Sequence, residues 1–424
     1  MKKVMLVALV AVLAMGMVFA GGKKETASGK VTLNVMAYGT NANSEGQDFA
    51  RVVEEFMADN PDVEVVYEML YDEAYHQKVS ARLAAKDYPD VAYMGADERW
   101  GSAWKESGQH IDNRPFMPAN IDQSLIPDFF GTGEKPYIPL GASNFCTVVA
   151  INMDILNDLN GGKLPQTYDD LKTLAGLCKA KGISCITTHG ADSWVWGSCV
   201  MSGIIPRYTG DTTWIEKACQ GKVKFTDPAF VESLNVLSVL VADGVLDPNA
   251  ALTDDGTGKS LYQAGKTLMY IDGQWAMGTQ NLGTATTKLI AIPTLPGEKA
   301  YPGAMAGAWQ VGYGITKAGA SDPKKLDAAK RFLEYFFSEE ETVIRIRKGS
   351  ISAAILKDIT IPDDLDPLIA EKGTLGAYPS CYVIDSYLSG TANDLLNAGM
   401  QDIVLGKQTA AQVAAAVQKA WDER

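Results

Sequence analysis

Between residues 31 and 94 the hydrophobic period switches from two to 3.6 and back, twice. Val31-Thr32-Leu33-Asn34-Val35-Met36-Ala37-Tyr38 alternates roughly as a half-buried strand does. Phe49, Val52, Val53 and Phe56 then recur at helical spacing, with Ser44 upstream as an N-cap and Asn60-Pro61-Asp62 as the stop. Val63 to Tyr67 reads as a second strand and Tyr75, Val79 and Leu83 as a second helical face. Pro89-Asp90 breaks that helix before a third strand, Val91 to Met94. A β-α-β-α-β order makes a mostly parallel sheet flanked by helices, because parallel neighbours need a long crossover.

The middle of the chain repeats this logic. Cys146 to Ile151 is an apolar strand. Thr167 caps a helix faced by Leu171, Leu174 and Cys178. Asp227-Pro228 starts another helix, which Gly244 ends, and Thr267 to Ile271 is a short buried strand running into Asp272-Gly273-Gln274-Trp275. Asp322-Pro323 and Thr409 start later helices, and Asp363-Asp364 after Pro362 reads as a further helix start. Two α/β units in 424 residues suggest two lobes with a cleft between them. Ligands of open α/β sheets bind beyond the strands' carboxyl ends. That points to Tyr38 to Asn41, Gly95 to Asp97 and Asp272 to Trp275.

The first twenty residues are a separate object. Lys2-Lys3 precedes an apolar stretch, Val4 to Val18, and Val18-Phe19-Ala20 offers small residues for cleavage after Ala20. This reads as a secretory signal peptide followed by a polar linker, residues 21–30, with no nearby cysteine to carry a lipid anchor. The expected address is the periplasm, with full secretion as the alternative. The net charge of −13 disfavours nucleic-acid and anionic-membrane partners. In an oxidising compartment, proximity favours the pairs Cys178–Cys185 and Cys199–Cys219; buried free thiols are the alternative.

Catalytic signatures are weak. His76, His110 and His189 show no metal-ligand spacing, so each reads as a surface or packing residue. No nucleophile elbow or zinc-protease motif occurs, and no cofactor is expected. Gly258-Lys259-Ser260 mimics the end of a phosphate-binding loop, but Thr253 stands where that loop needs glycine, so it reads as a solvated loop. Tryptophans beside acids and amides say more: Asp192 with Trp194, and Asp272 and Gln274 with Trp275. The apolar face of a pyranose stacks on indole while its hydroxyls take acids and amides; equally, a buried tryptophan can simply fill a core. Trp100 and Trp104, at i and i+4, read as one packed helix face.

These motifs accumulate into a resemblance. Leu164-Pro165-Gln166-Thr167-Tyr168-Asp169-Asp170-Leu171, Leu83 to Val91, Ala150 to Leu156, Asp327 to Leu333 and above all Gly265 to Trp275, with its G-x-W ending, stand in the order found in one family. The chain resembles the extracellular solute-binding proteins of ATP-driven carbohydrate importers, the family 1 group that includes maltose-binding protein. The resemblance implies a type II periplasmic-binding-protein fold: two α/β lobes, residues 31–140 plus 312–345 and residues 141–311 plus 346–424, joined by a hinge. It implies a carbohydrate ligand, membrane permease subunits as partners, a monomer and no catalysis. The alternatives are a non-sugar solute such as a polyamine, or a secreted carbohydrate-active enzyme. Carried over residue by residue, it implies stacking by Trp275 and Trp309, and hydroxyl contacts from Asp97. It also implies contacts from Tyr38 and Asn41 in the first strand-end loop, Asp192 and Trp194 from the second lobe, Asn144 near the first crossover, and Tyr382 late in the chain.

Overall fold

The computed structural model describes residues 29–424 apart from 127, 130–131, 141–144, 308–310 and 349–355. The expected signal peptide and most of the linker lie outside these residues. The described strands are β1 Val31–Tyr38, β2 Val63–Leu70, β3 Val91–Gly95, β4 Ile138–Pro139, β5 Val148–Asn152, β6 Ser184–Thr187, β7 Thr267–Asp272, β8 Thr287–Ile290, β9 Met305–Gly307, β10 Val311–Ile315 and β11 Ser380–Tyr382.

The first sheet runs β2-β1-β3-β10-β4. Strands β1, β2 and β3 are parallel, as their intervening helices Ser44–Asp59 and Asp72–Ala84 require. Helix Ser44–Asp59 buries Phe49, Val52, Val53 and Phe56, with the Phe49 ring 5.3 Å from Tyr313 and the Phe56 ring 5.3 Å from Phe332. Its cap is Asn43, whose side chain accepts from the Gly46 N–H, so the capping role expected of Ser44 falls one residue earlier. Strand β10 enters antiparallel to both neighbours, Ile315 facing Val91 and Tyr313 facing Ile138. The buried Asn113 fixes it there: its Oδ1 accepts from the Ile315 N–H at 2.7 Å, and its Nδ2 donates to the carbonyls of Ile315 and Pro136 at 3.1 and 2.6 Å.

The second sheet runs β6-β7-β5-β8. It is mixed, against the expectation of a mostly parallel sheet in each lobe: β6 and β7 are parallel, whereas β5 is antiparallel to both β7 and β8. The cause is the path of the chain. Strand β5 begins just after the chain leaves the first lobe, at the edge where β7 ends, with Val148 opposite Asp272. It therefore runs away from that edge, as β10 does in the first sheet.

Each sheet has its own core. Residues 33–138 and 313–356 build the first, around Tyr93, Trp100, Trp104 and Phe332. Residues 146–306 and 368–417 build the others, around Trp196, Leu237 and Tyr270. Leu356 belongs to the first core and Ile359 packs against it, both beyond the boundary expected at 345. Three further expectations are corrected. Gly258-Lys259-Ser260 lies inside helix Asp255–Gln263 rather than in a loop. The helix expected at Asp363-Asp364 starts at Pro367, capped by Asp366. All six cysteines are free thiols, so neither Cys178–Cys185 nor Cys199–Cys219 is a disulfide; the Cys199 thiol donates instead to Asp272 Oδ1 at 3.8 Å. No described helix is long and apolar enough to cross a membrane.

A Cβ at Gly312 in β10 would sit 1.9 Å from the Ile138 carbonyl oxygen. Gly312→Ala should cost about 1–3 kcal/mol, since only backbone can yield. Gly176→Ala, at an open position inside helix Tyr168–Lys181, should instead stabilise by about 0.5–1 kcal/mol. Urea midpoints of the two variants, moving in opposite directions, check both.

Candidate ligand-binding site

Strands β1, β2, β3 on one side and β6, β7 on the other present their carboxyl ends to a common boundary. The loops that follow these strands touch across it. The Trp194 indole N–H donates to Asp72 Oδ2 at 3.1 Å. Ser386 Oγ donates to Asp97 Oδ2 at 3.2 Å and Ser389 Oγ to Glu98 Oε1 at 2.9 Å. The Arg99 guanidinium lies 3.1 Å from Glu73 and 3.8 Å from both Asp72 and Asp385. Asp72 begins its helix with φ of 53°, a left-handed conformation uncommon outside glycine, which turns its carboxylate toward the boundary.

Beside this seam opens a cavity of about 620 Å³, lined by both lobes. The first lobe supplies Asn43, Glu45 and Tyr71; the second supplies Asp255, Trp275 and Asn281. Trp275 folds back over Gly273, where a Cβ would come within 2.2 Å of the indole, so the glycine of Asp272-Gly273-Gln274-Trp275 is sterically required. The Trp194 ring lies 6.1 Å from Trp275, inclined by 39°. Under them sits a buried polar cluster. His189 Nδ1 is 3.0 Å from Asp192 Oδ2 and its Nε2 3.1 Å from Asp272 Oδ2. Burial alone would depress the imidazole, but Asp272 and Asp192 outweigh it and push His189 up to about 10. Burial likewise opposes ionisation of Asp272, yet the His189 charge holds that carboxyl below its usual range. One ligand atom each from His189, Asp255 and Asp272 lies within 4.8 Å of the others, a spacing a cation could bridge. Both ring nitrogens are already engaged, however, and Lys259 pairs with Asp255 at 2.8 Å, so the set is satisfied without one.

The residues expected from sequence therefore divide. Trp275, Trp194 and Asp192 come together. Tyr38 does not line the large cavity: it stacks on Tyr93 at 4.9 Å and also meets Tyr71, Tyr75 and Trp100, a packed aromatic floor. Asn41 is exposed and borders a shallow groove on the outer face of helix Ser44–Asp59, beside Arg51 and Met57; its neighbours Thr40 and Asn43 reach the cavity instead. Asp97 is buried as the N-cap of helix Glu98–Glu106, accepting from the Trp100 N–H at 2.9 Å, and its second oxygen faces Ser386. Tyr382 stacks on Tyr387 at 5.0 Å, and Tyr387 borders a different hollow, with Glu98 and Trp421. Trp309 and Asn144 lie outside the described residues. Sequence reasoning missed Asp72, Arg99 and the role of His189. Tyr71-Asp72 carried a usable signal, an aromatic beside an acid at a strand end, whereas His189 takes its meaning from Asp272, 83 positions away.

A family model for bacterial extracellular solute-binding proteins matches residues 40–343, and the chain belongs to that family. No curated protein sequence matches it. Among solved structures it is similar in fold to a chitin oligosaccharide binding protein (20% identity, 92% of this chain and 98% of that one, TM-score 0.78). It is also similar to maltose-bound MalE3 of T. maritima (17%, 93% and 99%, TM-score 0.73) and to the solute-binding protein RafE in complex with raffinose (19%, 93% and 99%, TM-score 0.73). The fold is the two-lobe type II architecture of these binding proteins.

Burial raises the Asp97 carboxyl from 3.8 to about 7, against the pull of the Trp100 N–H, Ser386 and Arg99. A carboxyl raised in the folded state contributes stability at low pH that drains away as pH rises through this window. Asp97→Asn keeps the cap and removes the charge. Its stability relative to the parent should therefore rise between pH 4 and 7, by on the order of 1 kcal/mol per pH unit. Urea unfolding at pH 4.5 and 7.5 checks the sign.

Proposed function

We propose that the chain is the receptor of an ATP-driven importer, capturing a sugar or oligosaccharide between its lobes and presenting it to membrane permease subunits. It works as an exported monomer released by cleavage after Ala20, and it performs no catalysis. The observation that carries this reading is Trp275, with Trp194 6.1 Å behind it, lining a cavity whose polar walls come from both lobes: Glu45 and Asn43 on one side, Asp255 and Asn281 on the other. Indole faces suit the C–H face of a pyranose, and carboxylates and amides suit its hydroxyls. Fold neighbours named for chitin oligosaccharide, maltose and raffinose support the same ligand class. A ligand touching both walls favours the closed arrangement by its differential contacts, which is the condition for coupling capture to delivery. Stacking contributes roughly 1 kcal/mol per ring beyond area burial and each charge-assisted hydrogen bond about 1.5–3 kcal/mol. A few such contacts reach micromolar affinity, about −8 kcal/mol.

Titrating tryptophan fluorescence with a panel of mono- and oligosaccharides and with polyamines tests the class. Saturable quenching by a sugar that is recovered intact supports the receptor; tight polyamine binding or sugar turnover overturns it. Trp275→Ala should weaken sugar binding at least about tenfold, ~1.4 kcal/mol, by calorimetry, with the unfolding midpoint nearly unchanged because the ring is half-buried.

A further inference from the structure

His189 stands out among the buried titratable groups. It is 3% exposed, and each ring nitrogen faces a carboxylate oxygen, Asp192 Oδ2 at 3.0 Å and Asp272 Oδ2 at 3.1 Å. A neutral imidazole has one N–H and one lone pair, so one of the two carboxylates would meet a lone pair. Only the imidazolium donates to both. The surroundings agree: the ring lies 26° from parallel with Tyr270 at 6.3 Å, Tyr270 donates to Asp272 Oδ2 at 3.2 Å, and the other charged groups facing it are Asp254, Asp255 and Lys259 of the adjoining helix.

The position of this cation matters because of what it links. Asp272 ends β7 and is anchored by the Gly273 N–H at 2.6 Å. Asp192 belongs to the loop after β6. That loop is held by the Gly190 N–H on the Ala250 carbonyl (2.9 Å), the Ala191 N–H on the Thr253 carbonyl (3.0 Å) and the Val195 N–H on the Asp192 carbonyl (3.0 Å). Trp194, 5.6 Å from the His189 ring, leaves the same loop to meet Trp275 on one side and Asp72 of the opposite lobe on the other. A run of contacts thus leads from β7 through His189 to the loop and across the cleft.

We propose that His189 is a positioning residue of the ligand site: as an imidazolium it bridges Asp272 and Asp192 and so sets the loop that carries Asp192 and Trp194 to the cleft. It touches no ligand itself and acts through the loop. Its effect on ligand affinity rests on the receptor reading above; its effect on the loop does not.

The test has one arm without ligand and one with it. In the ligand-free protein, ring-nitrogen NMR of His189 should show both nitrogens protonated from pH 6 to 8.5, unaltered by micromolar Zn²⁺. In His189→Gln, amide exchange at Ala191, Trp194 and Val195 should quicken at least tenfold while strand β5 stays as protected as in the parent. A neutral ring at pH 7.5, a Zn²⁺-induced shift, or unchanged loop exchange overturns the proposal whatever the ligand is. With a sugar identified by the fluorescence panel, His189→Gln and Asp192→Asn should each weaken binding, and the double variant should be no weaker than the worse single one. Multiplicative losses overturn the coupling. A panel in which no sugar binds counts against the receptor reading and leaves the loop result to decide the role of His189.

Discussion

The direction of the chain at the cleft governs most of this structure. Strand β1 and the strands that follow a helix within one lobe, β2, β3, β6 and β7, run toward the boundary and end there. Strands that follow a crossing, β5 and β10, start at the boundary and run away, antiparallel to their neighbours. The loops where chemistry can be placed therefore gather at one surface of each lobe, and the two surfaces face one another. The arrangement holds only while β10 stays in a sheet whose other members lie far earlier in the chain. The amide of Asn113, bonded to both polar groups of Ile315 across 202 positions, is the side chain that ties it in.

The same constraint explains what could be read from the residues alone. Helices with caps and a clear apolar stripe were legible: Thr167 and Thr409 both form capping boxes, and Pro323 follows Asp322 as a helix start. Trp275 was legible because Gly273 must precede it. Strand direction in the second sheet was not, since β5 and β7 are short and buried throughout, β8 spans only Thr287–Ile290, and nothing local records from which lobe the chain arrives. Helix Gly390–Val404 buries a single stripe, but Asn393, Asn397 and Gly399 stand in it while Leu395 faces outward, so its apolar period is blurred in the sequence.

The site divides along a similar line. Strand ends pointed to the right loops but not to the right atoms. Tyr38 ends β1 as expected, yet its ring fits among Tyr71, Tyr75, Tyr93 and Trp100, because an aromatic at that place gains more from packing than from exposure. Asp97 follows β3 as expected, but the backbone N–H of Trp100 and a serine 289 positions later claim its oxygens. The role of His189 came from two carboxylates that only the folded chain brings to one imidazole.

The polar bonds between Asp97 and Ser386, Glu98 and Ser389, and Arg99 and Asp385 join the two lobes, and none of these residues lines the cavity, so they favour closure without touching what occupies it. Any measured dissociation constant then includes a conformational pre-equilibrium that the protein sets for itself. Weakening that seam, at a remove from the paired indoles, would scale the loading and unloading rates of every cargo together. The rank order of preferred cargoes would stay as the cavity walls dictate, which separates how tightly this receptor holds from what it chooses to hold.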